Sequence, residues 1–132
     1  MSEVFFVKSS FFVFIWSILI IISGVFIHRQ ANDFSYNYIN NFNLIEEKIK
    51  DNNWEQASYI LKDTKSNLDK EKSIWYMLIN HSYFNEAFSS IEILNQSIYL
   101  EDKMISLQEI ERVKMVFENL VEDESYNLNI IF

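Results

Sequence analysis

Apolar residues dominate the start of the chain, where nineteen consecutive residues from Ser9 to Ile27 carry no charge and are rich in Phe, Ile and Val. A helix of this length, at about 1.5 Å per residue, matches the ~30 Å hydrocarbon thickness of a bilayer. A domain built from the ~100 remaining residues is too small to enclose a helix that is apolar on every side. We therefore predict a short tail over residues 1–8, a transmembrane helix over residues 9–27 and a soluble domain over residues 28–132.

A cleaved signal peptide is the competing interpretation of this run. Its exit, Ile-His-Arg-Gln-Ala at positions 27–31, fits the small-x-small pattern of a signal peptidase site poorly. We therefore expect an uncleaved signal anchor that crosses the cell membrane once. The flanking charges nearly balance, with the α-amine and Lys8 against Glu3 on one side and Arg29 on the other, so the positive-inside rule leaves the orientation open.

Beyond the run, apolar residues recur every three or four positions, which is the period of an amphipathic helix. The first such stripe predicts a helix over residues 33–51. No Gly or Pro separates this helix from the anchor, so we expect one continuous rod whose only candidate break lies near Asn32 and Asp33. The polar residues 51–53 end the helix. Its stripe consists of Phe34, Tyr38, Phe42, Ile45 and Ile49.

The next segment predicts a second, antiparallel helix. Asn52 and Glu55 have the spacing of a capping box, which satisfies the first N–H groups of a helix. The charged residues 69–72 are interpreted as the turn that ends it, and the short linker before it favours an antiparallel hairpin. The buried stripe is Trp54, Ala57, Leu61, Thr64 and Leu68.

Two more helices complete the predicted domain. The third, the longest, is expected from about Ile74 to Leu100, with Met77, His81, Phe84, Phe88, Ile91, Leu94 and Ile98 on its apolar face. The fourth is expected to end at the acidic residues 122–124, with a stripe of Leu107, Ile110, Val113, Phe117 and Leu120. The apolar end, Leu128, Ile130, Ile131 and Phe132, is expected to fold back on the bundle or to dock a partner.

These stripes predict an all-α fold, an antiparallel bundle of about four helices behind one N-terminal transmembrane helix. Tetratricopeptide repeats need Gly and Pro at fixed offsets, and the soluble part contains neither. P-loops, dinucleotide fingerprints and nucleophile elbows also need glycines, and the single Gly24 lies in the apolar run. Phosphate-cradling and acyl-transfer enzymes are therefore excluded, and we expect a protein that is not an enzyme and has no cofactor.

The net negative charge of the chain limits the kinds of molecule that it is expected to bind. Beyond Lys8 the chain has 18 acidic and 10 basic residues, which accounts for its whole net charge of −8. This acidic balance argues against nucleic acid and against docking on anionic lipid. The chain has no cysteine, so disulfides, thiolate metal sites and thiol nucleophiles are excluded, and no small-molecule substrate is indicated.

A few residues remain as candidates for chemistry. His81 is predicted on an apolar face, where it would act as a base or metal ligand, or more simply as a hydrogen-bonded histidine at the edge of the core. Trp54 and Trp75, each predicted to open a helix, would stack on a ligand or lock helix ends together. Acidic side chains crowd the last helix, where a solvated face is the simpler interpretation than acid–base or calcium chemistry: Glu109, Glu111, Glu118 and Glu122.

Particular residues resemble the domain of unknown function 4363 family. They are the Asn53-Trp54-Glu55-x-Ala57 start, Trp75, His81 and the closing Leu128-x-Ile130-Ile131-Phe132. The resemblance covers about two thirds of the chain besides the N-terminal span. It implies a bacterial protein with a helical domain outside the cytoplasm and an accessory role beside an integral membrane protein, and it implies no activity.

Two functions follow as expectations. The first is a membrane-anchored helical module that acts by protein–protein interaction, through its groove or through the tail Ile130, Ile131 and Phe132. The second is an extracytoplasmic ligand-binding sensor with a pocket near Trp75 and His81. Metal and catalytic residues are expected to be absent.

Overall fold

The computed structural model describes the backbone of residues 2–78 and 81–131 and the side chains of residues 7–77 and 81–122. Four helices account for these ranges, α1 (Ser2–Lys50), α2 (Trp54–Leu78), α3 (His81–Tyr99) and α4 (Lys103–Ile131). Consecutive helices pack against each other, and α4 also packs against α1, which closes the bundle. No strand occurs in the described ranges. The predicted all-α bundle behind a long apolar N-terminal helix is therefore confirmed.

Helix α1 is uninterrupted over 49 residues, which corresponds to about 73 Å. It passes Asn32 and Asp33 without a break, because no Gly or Pro interrupts the backbone hydrogen bonds there. The side chains of residues 7–23 are exposed, and among the described side chains of α1 the first buried one is that of Ala31. The predicted continuous rod is thus confirmed, and one helix supplies both the apolar segment and a wall of the bundle.

The predicted stripes of α1 and α4 lie in a core to which all four helices contribute. All five stripe residues of α1 are buried, and so are four of the five in α4, with Leu107 half-buried against them. Aromatic rings gather at the end of the core nearest the apolar segment. Phe34 lies 4.8 Å from Trp75 between ring centroids, and Tyr38 stacks on Phe117 at 5.5 Å. This cluster stiffens the region where α1 leaves the bundle.

The turn between α1 and α2 corrects the predicted cap. Asn52 has a φ of 59° and its N–H donates to the Ile49 carbonyl, while the Asn53 N–H donates to Lys48, the pattern of a Schellman motif. The N-cap of α2 is Asn53, whose Oδ1 accepts from the Gln56 N–H. Asn52 instead ends α1, because a left-handed residue is needed there and Asn tolerates that conformation.

The turn between α3 and α4 repeats this geometry. Glu101 has a φ of 54°, and Asp102 accepts from the Ile105 N–H as the N-cap of α4. The two turns lie side by side, because Lys103 Nζ donates to the Lys50 carbonyl at 3.1 Å and to Asn52 Oδ1 at 3.3 Å. Both turns therefore lie at the bundle end far from the apolar segment.

The predicted boundary between the second and third helices is wrong. Residues 69–72 lie inside α2, which continues to Leu78, and α3 begins only at His81. Asp, Lys and Glu are compatible with interior positions of a helix, and Asp69 and Lys70 of the charged run are exposed. Leu68 and Trp75, seven residues apart, are both buried on the inner side. Consequently Trp75 lies near the end of α2, Met77 is exposed, and α1 is the longest helix.

The predicted end of the fourth helix is also wrong. Helix α4 runs through residues 122–124 and ends at Ile131, because neither Gly nor Pro interrupts this segment. The side chains of Leu128, Ile130 and Ile131, and the whole of Phe132, lie outside the described residues. The proposed folding back of this tail is therefore not part of the described structure.

Candidate functional site

A groove of about 630 Å³ lies between α1 and α2 at the bundle end nearest the apolar segment. Its apolar lining comes from Phe34 and Trp75 in the core cluster and from Ile74, which is exposed. Four carboxamide side chains add hydrogen-bonding groups: Gln30, Asn37, Asn41 and Asn67. The groove thus combines apolar walls with polar groups that both donate and accept.

The path of the two helices explains where the groove opens. Helix α2 ends at Leu78, whereas α1 continues past this level in the direction of the apolar segment. The groove therefore extends onto Phe26 and Ile27, which belong to the uncharged run of α1. One of its ends is continuous with the exposed apolar surface of α1.

A hydrogen bond joins the two helices inside the groove. The Tyr38 hydroxyl donates to Oε2 of Glu71 at 3.2 Å. Burial and the nearby Glu71 carboxylate raise the pKa of the Tyr38 phenol above its usual value. Tyr38 therefore stays protonated near neutral pH, where it serves as a hydrogen-bond donor and not as a base.

The charges that line the groove are all negative. Asp33 and Glu71 are its two charged residues, and neither forms an ion pair among the side chains that the structure describes. Two unpaired carboxylates beside an apolar cavity attract a cation and repel an anion. The groove is therefore suited to an apolar group that carries a positive charge.

His81 does not lie on an apolar face, which corrects the prediction. It is the exposed first residue of α3, its ring stacks on Tyr76 with centroids 4.0 Å apart, and its Nε2 lies 2.6 Å from the Tyr76 carbonyl oxygen. A histidine that donates to a carbonyl in the last turn of α2 stabilises that helix end. The prediction for His81 is wrong because α2 continues to Leu78, past the charged residues 69–72 that were expected to end it.

The structure places the predicted aromatic site residues far apart. Trp54 is half-buried at the start of α2, as predicted, whereas Trp75 lies near the other end of the same helix and lines the groove. His81 lines a separate open depression with Lys72, Tyr76 and neighbouring residues. Trp75 and His81 therefore do not share one pocket among the described residues.

The carboxylates of α4 divide into two kinds. Glu111, Glu118 and Glu122 are exposed, and Glu111 pairs with Lys114 at 2.9 Å. Glu109 is buried, with Arg112 at 3.7 Å from one oxygen and no hydrogen-bond partner for the other. Within the described ranges, no three His, Asp or Glu side chains come together as metal ligands.

Several residues of the groove were not identified as candidate site residues from the sequence. Asp33, Asn37 and Asn41 flank the apolar stripe of α1, where polar residues are normally solvated and carry no signal of their own. Their common face becomes visible only when α2 places Asn67 and Glu71 beside them. The one available signal was the unusual series of carboxamides along α1.

A model for the family described as Domain of unknown function (DUF4363) matches residues 25–131. The match begins near the end of the uncharged run and includes every residue that lines the groove. No curated protein and no solved structure matches the chain.

Proposed function

The chain belongs to the domain of unknown function 4363 family, and we propose that it is a single-span, membrane-anchored helical module that works by binding an integral membrane protein and not by catalysis. The observation that carries this proposal is the continuity of α1, which passes from an exposed apolar segment into the core of the bundle. Binding by such a module takes place close to the bilayer.

The apolar half of α1 supports insertion into a membrane. Helix α1 is long and apolar enough to cross a bilayer, and the bundle does not bury its most apolar stretch. Large exposed side chains such as Phe12, Trp16 and Phe26 would be unfavourable in water over so long a segment. We therefore propose that residues 9–27 span the bilayer. The extracytoplasmic side that we propose for the bundle is taken from the family resemblance, since the charges beside the apolar run favour neither orientation.

The rigidity of α1 supports a role in positioning. Because no break separates the apolar segment from the first buried turns, the bundle is held at a fixed distance and angle from the membrane. Its negative charge disfavours lying flat on anionic lipid. An arrangement of this kind presents the groove to proteins in the same membrane.

The chemistry of the groove supports binding more than catalysis. Its polar groups are four carboxamides, the Tyr38 phenol and the carboxylates of Asp33 and Glu71. The carboxamides do not exchange protons near neutral pH, the phenol stays protonated, and the two carboxylates are suited to pairing with a cation. Such groups align a partner through hydrogen bonds.

Chemical crosslinking in intact membranes, followed by mass spectrometry, tests the proposal. The expected result is a crosslinked species that joins the full chain to an integral membrane protein. Recovery of the free monomer alone, under conditions that crosslink a known membrane complex, would refute it.

A ligand-binding sensor is the second candidate, favoured by the size of the groove, which lies in the range of small-molecule sites. In this proposal a cationic, apolar ligand binds beside Trp75. The test is a thermal shift of the full chain in detergent with a panel of organic amines. A sensor predicts stabilisation that Asp33→Asn abolishes and that the exposed-site control Glu47→Gln retains, and no stabilisation by any amine would count against it.

A further inference from the structure

The groove continues along α1 as an exposed seam into the apolar segment. The groove residues Phe26, Gln30, Asp33 and Asn37 are separated by steps of four, three and four. The same alternation extends backwards through four exposed residues on the same side of the helix. We call the whole set the groove seam, and its extension consists of Phe12, Trp16, Leu19 and Ser23.

Alternating steps of three and four are the spacing with which one helix receives the side chains of another. Over residues 12–23 nothing in the described structure covers the groove seam, and every one of its side chains there is exposed. Farther along, α2 forms a second wall with Ile74 and Trp75. A helix lying on the seam would therefore be held by one helix inside the bilayer and by two helices outside it.

The charges of the groove decide what kind of helix fits. Asp33 lies six residues beyond Ile27, which places it about 9 Å past the end of the uncharged run. Glu71 faces the same space from α2. A Lys or Arg just outside the hydrocarbon region of a second membrane helix would meet both carboxylates, and such residues are common at the ends of membrane helices.

The same charges disfavour the other occupants. An anionic lipid headgroup would be repelled by Asp33 and Glu71. In a second copy of this chain packed in parallel on the same seam, the two Asp33 side chains would face each other, because a two-fold axis pairs equivalent residues. A partner helix with a Lys or Arg at its end would be attracted by Asp33 and Glu71 and would bring no second carboxylate to the groove.

We propose that the groove seam docks a transmembrane helix of an integral membrane protein, with a Lys or Arg within two turns outside the bilayer that pairs with Asp33 and Glu71. The proposal rests on the proposed function and specifies its contact surface. It assigns the apolar part of α1 a recognition role in addition to anchoring.

Site-specific photocrosslinking of the full chain in its native membrane tests this surface. A photoreactive residue is placed at Leu19 in the seam and, separately, at Ile74 on the α2 wall of the groove, and both positions are exposed. Matched controls carry it at Tyr59 and Met115, which are exposed elsewhere on the bundle. The expected result is that Leu19 and Ile74 capture the same integral membrane protein, at one end of a transmembrane helix that carries a Lys or Arg.

Charge reversal supplies the second measurement. Asp33→Lys is expected to lower the adduct yield at Ile74 by about tenfold or more, and reversal of the basic residue in the captured helix is expected to restore it. Glu47→Lys makes the same charge change at an exposed position outside the groove and should leave the yield unchanged.

Each other outcome rejects the docking surface. Adducts at Leu19 and Ile74 with lipid alone or with a second copy alone would overturn the proposal, and so would a yield unaffected by Asp33→Lys. If Tyr59 or Met115 captures an integral membrane protein and Leu19 and Ile74 do not, the proposed function stands and this inference fails. If none of the four positions captures a protein, both fail.

Discussion

Lys114 of α4 contacts the neighbouring helix α1, where its Nζ lies 2.8 Å from Oε2 of Glu46. The two side chains are only 14% and 19% exposed, and Asn43 Oδ1 accepts a further hydrogen bond from the same Nζ at 3.0 Å. The hydrogen bond from Lys114 holds the pKa of Glu46 below its usual value, although burial opposes this shift. This contact joins the chain's first and last helices between the distal turns and the aromatic cluster.

Replacing Lys114 by Met is expected to destabilise the bundle by about 1–3 kcal/mol, because it leaves a largely buried carboxylate without its main donor. Urea unfolding of the full chain in detergent, followed by circular dichroism, measures the change. Lys50→Met is a matched control, since Lys50 pairs with the same Glu46 from an exposed position on the same helix. It should cost less than about 0.5 kcal/mol, and equal losses in the two variants would contradict the assignment.

The same ion pair predicts how stability depends on pH. Since folding lowers the pKa of Glu46 below 4.5, its contribution is present above that pH and is lost as the pH falls through the folded-state pKa. Burial works against the charge of Lys114, yet the hydrogen bonds to Glu46 and Glu111 raise its pKa above 10.5. The Lys114 contribution is therefore present below pH 10.5 and is lost as the pH rises further. The melting temperature of Glu46→Gln should accordingly fall less than that of the parent protein on acidification below pH 4.5.

Glycine is expected to stabilise the protein at the two left-handed turn residues and to destabilise it in the middle of a helix. Glu101→Gly should stabilise the protein by about 0.5–1 kcal/mol, because Gly adopts a positive φ without the steric cost that Glu incurs. Asn52→Gly should give a smaller gain, since Asn already tolerates this conformation. Glu118→Gly, in the exposed middle of α4, should instead cost about 1 kcal/mol. Thermal unfolding compares the three, and destabilisation by Glu101→Gly would argue against the turn geometry.

The sequence predicted the stripes of α1 and α4 well because each follows a regular period over several turns without competing signals. The predicted turn at residues 69–72 is wrong, because charged residues alone do not end a helix and no Gly or Pro occurs there. The seven-residue spacing of Leu68 and Trp75 already indicated one continuing buried face. The groove could not be predicted from the sequence pattern of either helix alone. Asp33 and Glu71 lie close together only because α1 and α2 pack side by side in a particular register.

The corrected position of Trp75 leads to another prediction. Trp75 packs on Phe34 inside the bundle, so Trp75→Ala should cost about 3–5 kcal/mol through lost contacts and a cavity. Met77→Ala, two residues later and 87% exposed, should change stability by less than about 0.5 kcal/mol. Urea unfolding of the two variants separates a buried end of α2 from an exposed one. A small effect of Trp75→Ala would show that this end of α2 is not packed in the core.

The orientation of α1 can be measured directly, because the chain contains no cysteine. Single cysteines are introduced at Ser2, before the apolar run, and at Ser66, on the exposed side of α2. If the bundle is extracytoplasmic, an impermeant thiol reagent added to intact cells should label Ser66→Cys and not Ser2→Cys, whereas both should react after the cells are broken. Labelling of Ser2→Cys alone would show that the bundle lies in the cytoplasm, opposite to the proposed orientation. Labelling of both cysteines in intact cells would contradict a single membrane crossing.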